Sequence, residues 1–231
     1  MKKIILGFSL MLGIGISAHA QKFSGNTVTE RTKFGIQGGL SVPFQTVGGT
    51  YDSYSDTYYG SHTSDAFAGF TAGLQVEIPL GQGWYLQPEA NYSQMGAKDY
   101  FNVEVAQNSF QSTYGKEADN YLQIPVLVKY KPMLQGFGIF FGPQYGRLLS
   151  AKQKYSQGLG SVDIKDLTNK DELALAYGIE YYFPSANDGP SFGISLKGIS
   201  GLTNIVDKSQ YAGSVSSVRN NAVFLTVGVR F

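Results

Sequence analysis

The chain has 231 residues, 42% of them hydrophobic and only 15% charged, with 29 Gly, 16 Tyr and 15 Phe making up the difference. So little charge beside so many aromatics excludes a disordered tail or a charged coiled coil, and a net charge of +1 gives no electrostatic case for a nucleic-acid partner. The absence of Cys excludes disulfides, thiolate metal sites, a Cys nucleophile and a lipidated Cys.

The first element is for export. Lys2 and Lys3 precede an apolar run, Ile4–Ile16, and then Ser17-Ala18-His19-Ala20. That order is the signature of a secretory signal, so residues 1–20 are read as a cleaved signal peptide and residues 21–231 as the mature domain. The apolar run is too short to span a bilayer as a helix, which takes about 20 residues. No stretch of 18 consecutive apolar residues follows, so an exported chain of this kind is periplasmic, secreted or an outer-membrane barrel.

From there the chain returns eight times to strict alternation, the mark of a strand with two unlike faces. Phe34–Gln45 sets Phe34, Ile36, Leu40, Val42 and Phe44 against Gly35, Gln37, Gly39, Ser41 and Gln45. Phe67–Leu80 sets Phe70, Leu74, Val76, Ile78 and Leu80 against Gly69, Thr71, Gly73, Gln75 and Glu77. Trp84–Ser93, Tyr121–Lys131, Phe137–Leu149, Leu173–Phe183, Phe192–Gly201 and the terminal run through Val223, Leu225, Val227, Val229 and Phe231 follow the same rule.

The connections alternate in length. Gly81-Gln82-Gly83, Pro132–Gly136 and Pro184–Pro190 are turn-sized, whereas Thr46–Asp65, Gln94–Asn120, Ser150–Glu172 and Leu202–Asn221 are long. Loops of that length are uncommon inside a compact soluble domain. Short turns alternating with long loops are the habit of outer-membrane barrels. The predicted fold is therefore all-β: an eight-stranded antiparallel up-and-down transmembrane β-barrel with short periplasmic turns and four long external loops.

Charge decides which face meets lipid. Glu77, Glu89, Lys129, Glu180, Lys197 and Arg230 all share the small, polar parity, and the apolar parity carries only Arg147, near a strand end. A soluble barrel would need more charge than that to hydrate its outside. Turned inward, the six make three acids and three bases in a lumen with room only for side chains. Phe34, Trp84, Tyr130, Phe137, Phe183, Phe192 and Phe231 share the apolar parity at the predicted periplasmic strand ends, which reads as an interfacial aromatic girdle. Folding Phe183 opposite Phe192 puts Lys197 opposite Gly178, with Glu180 diagonal to it and Glu89 at similar height. Lys197 is thus expected within salt-bridge range of Glu180 or Glu89.

Leu86-Gln-Pro-Glu-Ala-Asn-Tyr-Ser-Gln-Met-Gly-Ala-Lys98, followed by Tyr121-Leu-Gln-Ile-Pro-Val-Leu-Val-Lys-Tyr130, resembles the PorT-like outer-membrane β-barrel family of Bacteroidota. Gly138–Ser150 and Leu225–Phe231 fit the same pattern, and the external loops do not match it. Where that family often carries an acid, this chain has Gln123. The resemblance implies the barrel fold and a Gram-negative outer-membrane location. One branch of the family is associated with protein secretion to the cell surface.

Catalytic constellations are absent from the pattern. A Ser–His–acid lipid hydrolase needs a His beside a Ser at the membrane boundary, and the one mature His, His62, sits mid-loop. Asp52, Asp56 and Asp65 do not match a calcium-loop spacing, and the glycines alternate along strands instead of forming a phosphate cradle. The expectation is a non-enzymatic barrel without cofactor or metal and with a plugged lumen. Its partners are outer-membrane lipid, the assembly machinery through the C-terminal strand, and a surface ligand or protein met by the external loops. Tyr51, Tyr54, Tyr58 and Tyr59 make the first loop the candidate binding surface. A narrow pore or a secretion-associated membrane component is the alternative.

Overall fold

Eight alternating segments form strands that close on themselves. The computed structural model describes residues 31–52, 57–106, 109–132, 136–155, 160–185, 189–206 and 217–231; the segment read as a signal lies outside them. The barrel strands are β1 (Lys33–Val47), β2 (Gly69–Gly81), β3 (Trp84–Ala106), β4 (Ser109–Tyr130), β5 (Phe137–Tyr155), β6 (Asp171–Tyr182), β7 (Ser191–Gly201) and β8 (Val218–Arg230). Each pairs antiparallel with the next. β8 returns to β1 in unbroken register from Gly35↔Arg230 to Val47↔Val218. Closure leaves no strand edge open around the barrel wall, the condition for strands to exist in lipid.

The shortest connection shows why the sequence turns where it does. Gly81 pairs with Trp84, leaving Gln82 and Gly83 as the two central residues, at φ 53° and 81°. A two-residue hairpin with positive φ at both positions matches the right-handed twist of its strands. Gly83 tolerates that φ freely; Gln82 adopts it as the one positive-φ non-glycine among the described residues.

One of the predicted long loops is largely strand, and a second is partly so. β3 and β4 run far past Ser93 and Tyr121 as one hairpin, paired from Trp84↔Tyr130 to Ala106↔Ser109. β5 continues to Tyr155, where Ser161–Asp163 folds back to pair with Lys152–Lys154. The extension escaped a period-two reading for a physical reason. Beyond Ser93 and Tyr121 the apolar residues move to the inward face, where Met95, Ala97 and Ala151 are buried. The opposite parity carries Lys98, Lys116 and Lys154, so the apolar-outward alternation stops while the β-favouring Tyr, Phe, Val and Thr continue. β2 begins at Gly69, two residues later than expected, and Phe67 is buried outside it.

The two faces separate cleanly. Ile36, Leu40, Leu74, Ile139, Phe141, Leu175, Ile179, Ile194, Leu196, Leu225 and Val227 are exposed in an otherwise apolar outer wall. So large an exposed apolar band has a sensible solvent only in lipid. Inside, Tyr85, Leu127, Phe140, Tyr182 and Phe224 are buried among polar side chains. Tyr182 lies across Gly193 and Gly228, where an added Cβ would stand 2.4 Å from its ring and 2.6 Å from its hydroxyl respectively. These inward glycines are the space the ring occupies.

Candidate functional site

The lumen holds two tiers of polar side chains, and strand parity builds both. Near the short turns, Glu77 (β2), Lys129 (β4), Glu180 (β6) and Arg230 (β8) point inward from four strands and are 2%, 0%, 3% and 2% exposed. Arg230 forks onto Glu180, Nη1 to Oε1 at 2.8 Å and Nη2 to Oε2 at 2.7 Å, and Nη1 also donates to Glu77 Oε2 at 2.8 Å. Lys129 Nζ donates to Glu77 Oε2 at 2.9 Å, to Glu180 Oε1 at 2.6 Å and to Gln87 Oε1. The Arg230 guanidinium stacks 3.5 Å from the centre of the Tyr182 ring, and Gln75 donates to the Tyr182 hydroxyl at 2.7 Å. Two acids thus share two bases across the full width of the barrel.

Above them Lys197 Nζ donates to Glu89 Oε2 at 2.7 Å. Glu89 also accepts from Gln87 at 2.6 Å, Asn91 at 2.8 Å and Gln37 at 3.0 Å. Lys197 stands opposite Gly178, and of the two acids within expected reach it pairs with Glu89, because Arg230 and Lys129 occupy Glu180.

The balance of three acids and three bases needs correction. Lys131, just past the end of β4, reaches back to Glu77 Oε1 at 2.6 Å and lies 4.2 Å from the centre of the Tyr85 ring. Four bases therefore meet three acids in this tier. The second tier lies toward the long loops. Glu117 accepts from Gln45 at 3.0 Å, Gln45 donates to Asn220 Oδ1 at 3.2 Å, and Asn220 donates to Glu172 Oε2 at 3.1 Å and to the Tyr121 hydroxyl at 3.4 Å. Asp119 sits beside this chain at 0% exposure, its carboxyl group close to that of Glu117. It stands three residues beyond Leu122, the last lipid-facing residue of β4. Burial, and then the Glu117 and Glu172 carboxylates, hold its pKa well above the usual value.

Sequence reasoning missed Lys131, Asp119 and Glu172. Asp119 and Glu172 fell in stretches read as loops. Extending the parity of Tyr121 and Gln123 by one step would have turned Asp119 inward.

The remaining expected residues are placed as follows. The girdle residues gather at the short-turn end: Trp84 and Tyr130 lie 4.8 Å apart, Phe183 donates its amide to Phe192, and Phe231 donates its amide to Phe34. Phe137 pairs with Tyr181 across β5 and β6. Arg147 meets Asp171 at 2.7 Å, both exposed. In the first loop Thr50–Asp52 pairs with Thr57–Tyr59, setting Tyr51 opposite Tyr58; Tyr54 and Asp56 lie outside the described residues, as do the side chains of Tyr51, Asp52, Tyr58 and Tyr59. His62 is exposed, with Nε2 3.2 Å from Asp99 Oδ2, and Asp65 accepts from the Tyr114 hydroxyl at 2.9 Å. Among the described residues no three His, Asp or Glu converge on a possible metal.

Residues 19–207 match the family described as outer membrane protein beta-barrel domain. Among solved structures, the chain is similar to the attachment invasion locus protein Ail of Yersinia pestis, solved with the heparin analogue sucrose octasulfate: 15% identity, TM-score 0.44, covering 87% of this chain and 100% of that one. It is also similar to the outer membrane protein OprG of Pseudomonas aeruginosa, at 13% identity and TM-score 0.49, covering 87% and 97%. The outer membrane protease OmpT of Escherichia coli is 8% identical with a TM-score of 0.40, covering 93% and 99%. No curated protein matches. With most of its length inside the family match, and eight antiparallel strands closed around a polar interior, this chain belongs to the outer membrane protein beta-barrel domain family.

Proposed function

We propose that this outer-membrane barrel is a non-conducting, non-catalytic anchor whose β3–β4–β5 extension and long loops form a contact surface outside the cell. The observation that carries the reading is the ion-pair lattice of Glu77, Lys129, Glu180 and Arg230, wall to wall and out of contact with solvent. Opening a water path would separate charges already desolvated together, and breaking such a buried pair costs about 3–5 kcal/mol. The short-turn end, with its aromatic ring of residues, faces the periplasm in this reading, as is usual for such barrels. The narrower PorT-like membership belongs to the same proposal and rests on the Leu86–Lys98 and Tyr121–Tyr130 motifs.

Single-channel recording in a planar bilayer tests it. The folded protein should give no stable openings, and Lys129→Ala combined with Glu180→Ala should give measurable conductance. Steady openings of the unaltered protein would replace the plug with a pore.

A further inference from the structure

A row of three lysines crosses the extension above the barrel. Lys98 on β3 stands directly opposite Lys116 on β4, and Lys116 directly opposite Lys154 on β5. Like charges directly opposed on adjacent strands destabilise a sheet, so three in one row call for a counter-charge. Among the described residues none provides it: no carboxylate pairs with Lys98, Lys116 or Lys154. Asp65, close to the row through its backbone pairing with Lys98, is engaged by the Tyr114 hydroxyl.

The row is held in place. The Lys116 ammonium lies 3.6 Å from the centre of the ring of Phe67, which is itself buried. Partial burial, and then the ammonium groups of Lys98 and Lys154, lower its pKa from the ordinary lysine value. The three lysines, with Tyr114, Gly115 and Tyr155, line an open cavity of about 290 Å³.

The geometry points to a binding site for a phosphate-ester group, held between the ammonium groups of Lys98, Lys116 and Lys154. This rests on the reading of the extension as a contact surface and names the chemistry that surface takes. Adjacent strands lie about 4.8 Å apart, so the row spans roughly 10 Å, enough for a phosphate between each neighbouring pair. Height agrees. Lys98 and Lys116 each stand six positions beyond the last lipid-facing residues of their strands, Tyr92 and Leu122. At the usual rise and tilt that is roughly 14 Å above the apolar edge, the layer of sugar phosphates and not of acyl chains. The phosphate is carried either by the outer-leaflet glycolipid or by a soluble compound.

Isothermal titration calorimetry on the full, detergent-folded protein separates these sources. The probes are inorganic phosphate, lipopolysaccharide, and the same lipopolysaccharide with its phosphates removed. Phosphate or phosphorylated lipopolysaccharide should bind, and the combined Lys98→Gln, Lys116→Gln, Lys154→Gln variant should bind at least tenfold more weakly. Lys170→Gln, which alters a lysine at Asp166, should bind as the unaltered protein does. Binding confined to phosphorylated lipopolysaccharide identifies the glycolipid as the source; binding of inorganic phosphate identifies a soluble one. Absence of binding by both probes, equal binding by the triple variant, or equal binding of the dephosphorylated lipopolysaccharide overturns the site. Folding of each variant is checked by its mobility shift on boiling in SDS, and Lys116→Gln alone is the reading if the triple variant does not fold. A conducting barrel would defeat the plug and leave this site standing.

Discussion

Lys197 on β7 and Glu89 on β3 meet at 2.7 Å inside the barrel although neither strand is the other's neighbour. The pair spans the lumen and ties opposite walls together. Both side chains are buried, and Glu89 accepts three further hydrogen bonds from Gln37, Gln87 and Asn91.

Lys197→Ala leaves the Glu89 carboxylate buried without its cation. Removing one partner of a buried pair destabilises by about 3–5 kcal/mol, so the unfolding temperature in detergent should fall markedly. Adding Glu89→Gln should recover part of the loss, since the remaining side chain is then neutral. A double variant no more stable than Lys197→Ala would show that the loss came from packing against Phe224, whose ring centre lies 5.7 Å from the ammonium.

Asp119 makes stability depend on pH in the direction opposite to a paired carboxylate. Its native pKa is raised, so the folded barrel keeps this proton after the unfolded chain has lost it. Its favourable contribution is complete below the ordinary value of 3.8 and declines as pH rises from there toward the raised native value. Thermal unfolding at pH 5 and pH 8 should therefore show less stability at pH 8, and Asp119→Asn should reduce the difference, leaving the part due to Glu172, whose pKa burial raises to about 7. An unchanged slope in the Asn variant would assign the dependence to other groups.

Gly193 makes room for Tyr182. An alanine there would place a methyl 2.4 Å from the ring, and overpacking of that kind costs about 1–3 kcal/mol. Gly193→Ala should unfold at a lower denaturant concentration than the unaltered protein. In a Tyr182→Ala background the same substitution should have little effect. Equal losses in both backgrounds would mean the glycine serves the backbone and not the ring.

Leu225 lies mid-strand on β8, paired with Leu40 on one side and Leu196 on the other. All three are exposed on the outer wall. Leu225→Arg should cost about 2–4 kcal/mol for a charge near the bilayer midplane, measured by reversible unfolding in lipid vesicles. The neighbouring inward position gives the contrast, since Thr226→Ser should be nearly silent. A silent Leu225→Arg would place this row away from lipid.

Period-two alternation by itself determined the strand number and the inward and outward faces, because a one-residue slip moves every side chain to the wrong solvent. Folding Phe183 opposite Phe192 across the short turn added the register of Lys197 against Gly178. The Gly81–Gly83 turn was legible for the same local reason, a backbone demanding positive φ. The extension of β3, β4 and β5 was not legible, since beyond Ser93 and Tyr121 the apolar residues Met95, Ala97 and Ala151 turn inward and the outward parity no longer repeats an apolar period. Nor could the sequence alone choose Glu89 over Glu180 as the partner of Lys197. That choice depends on Arg230 arriving from β8 and Lys129 from β4 to occupy Glu180. The row of Lys98, Lys116 and Lys154 likewise exists only once three strands are laid side by side, for residues so far apart in the chain become neighbours through pairing alone.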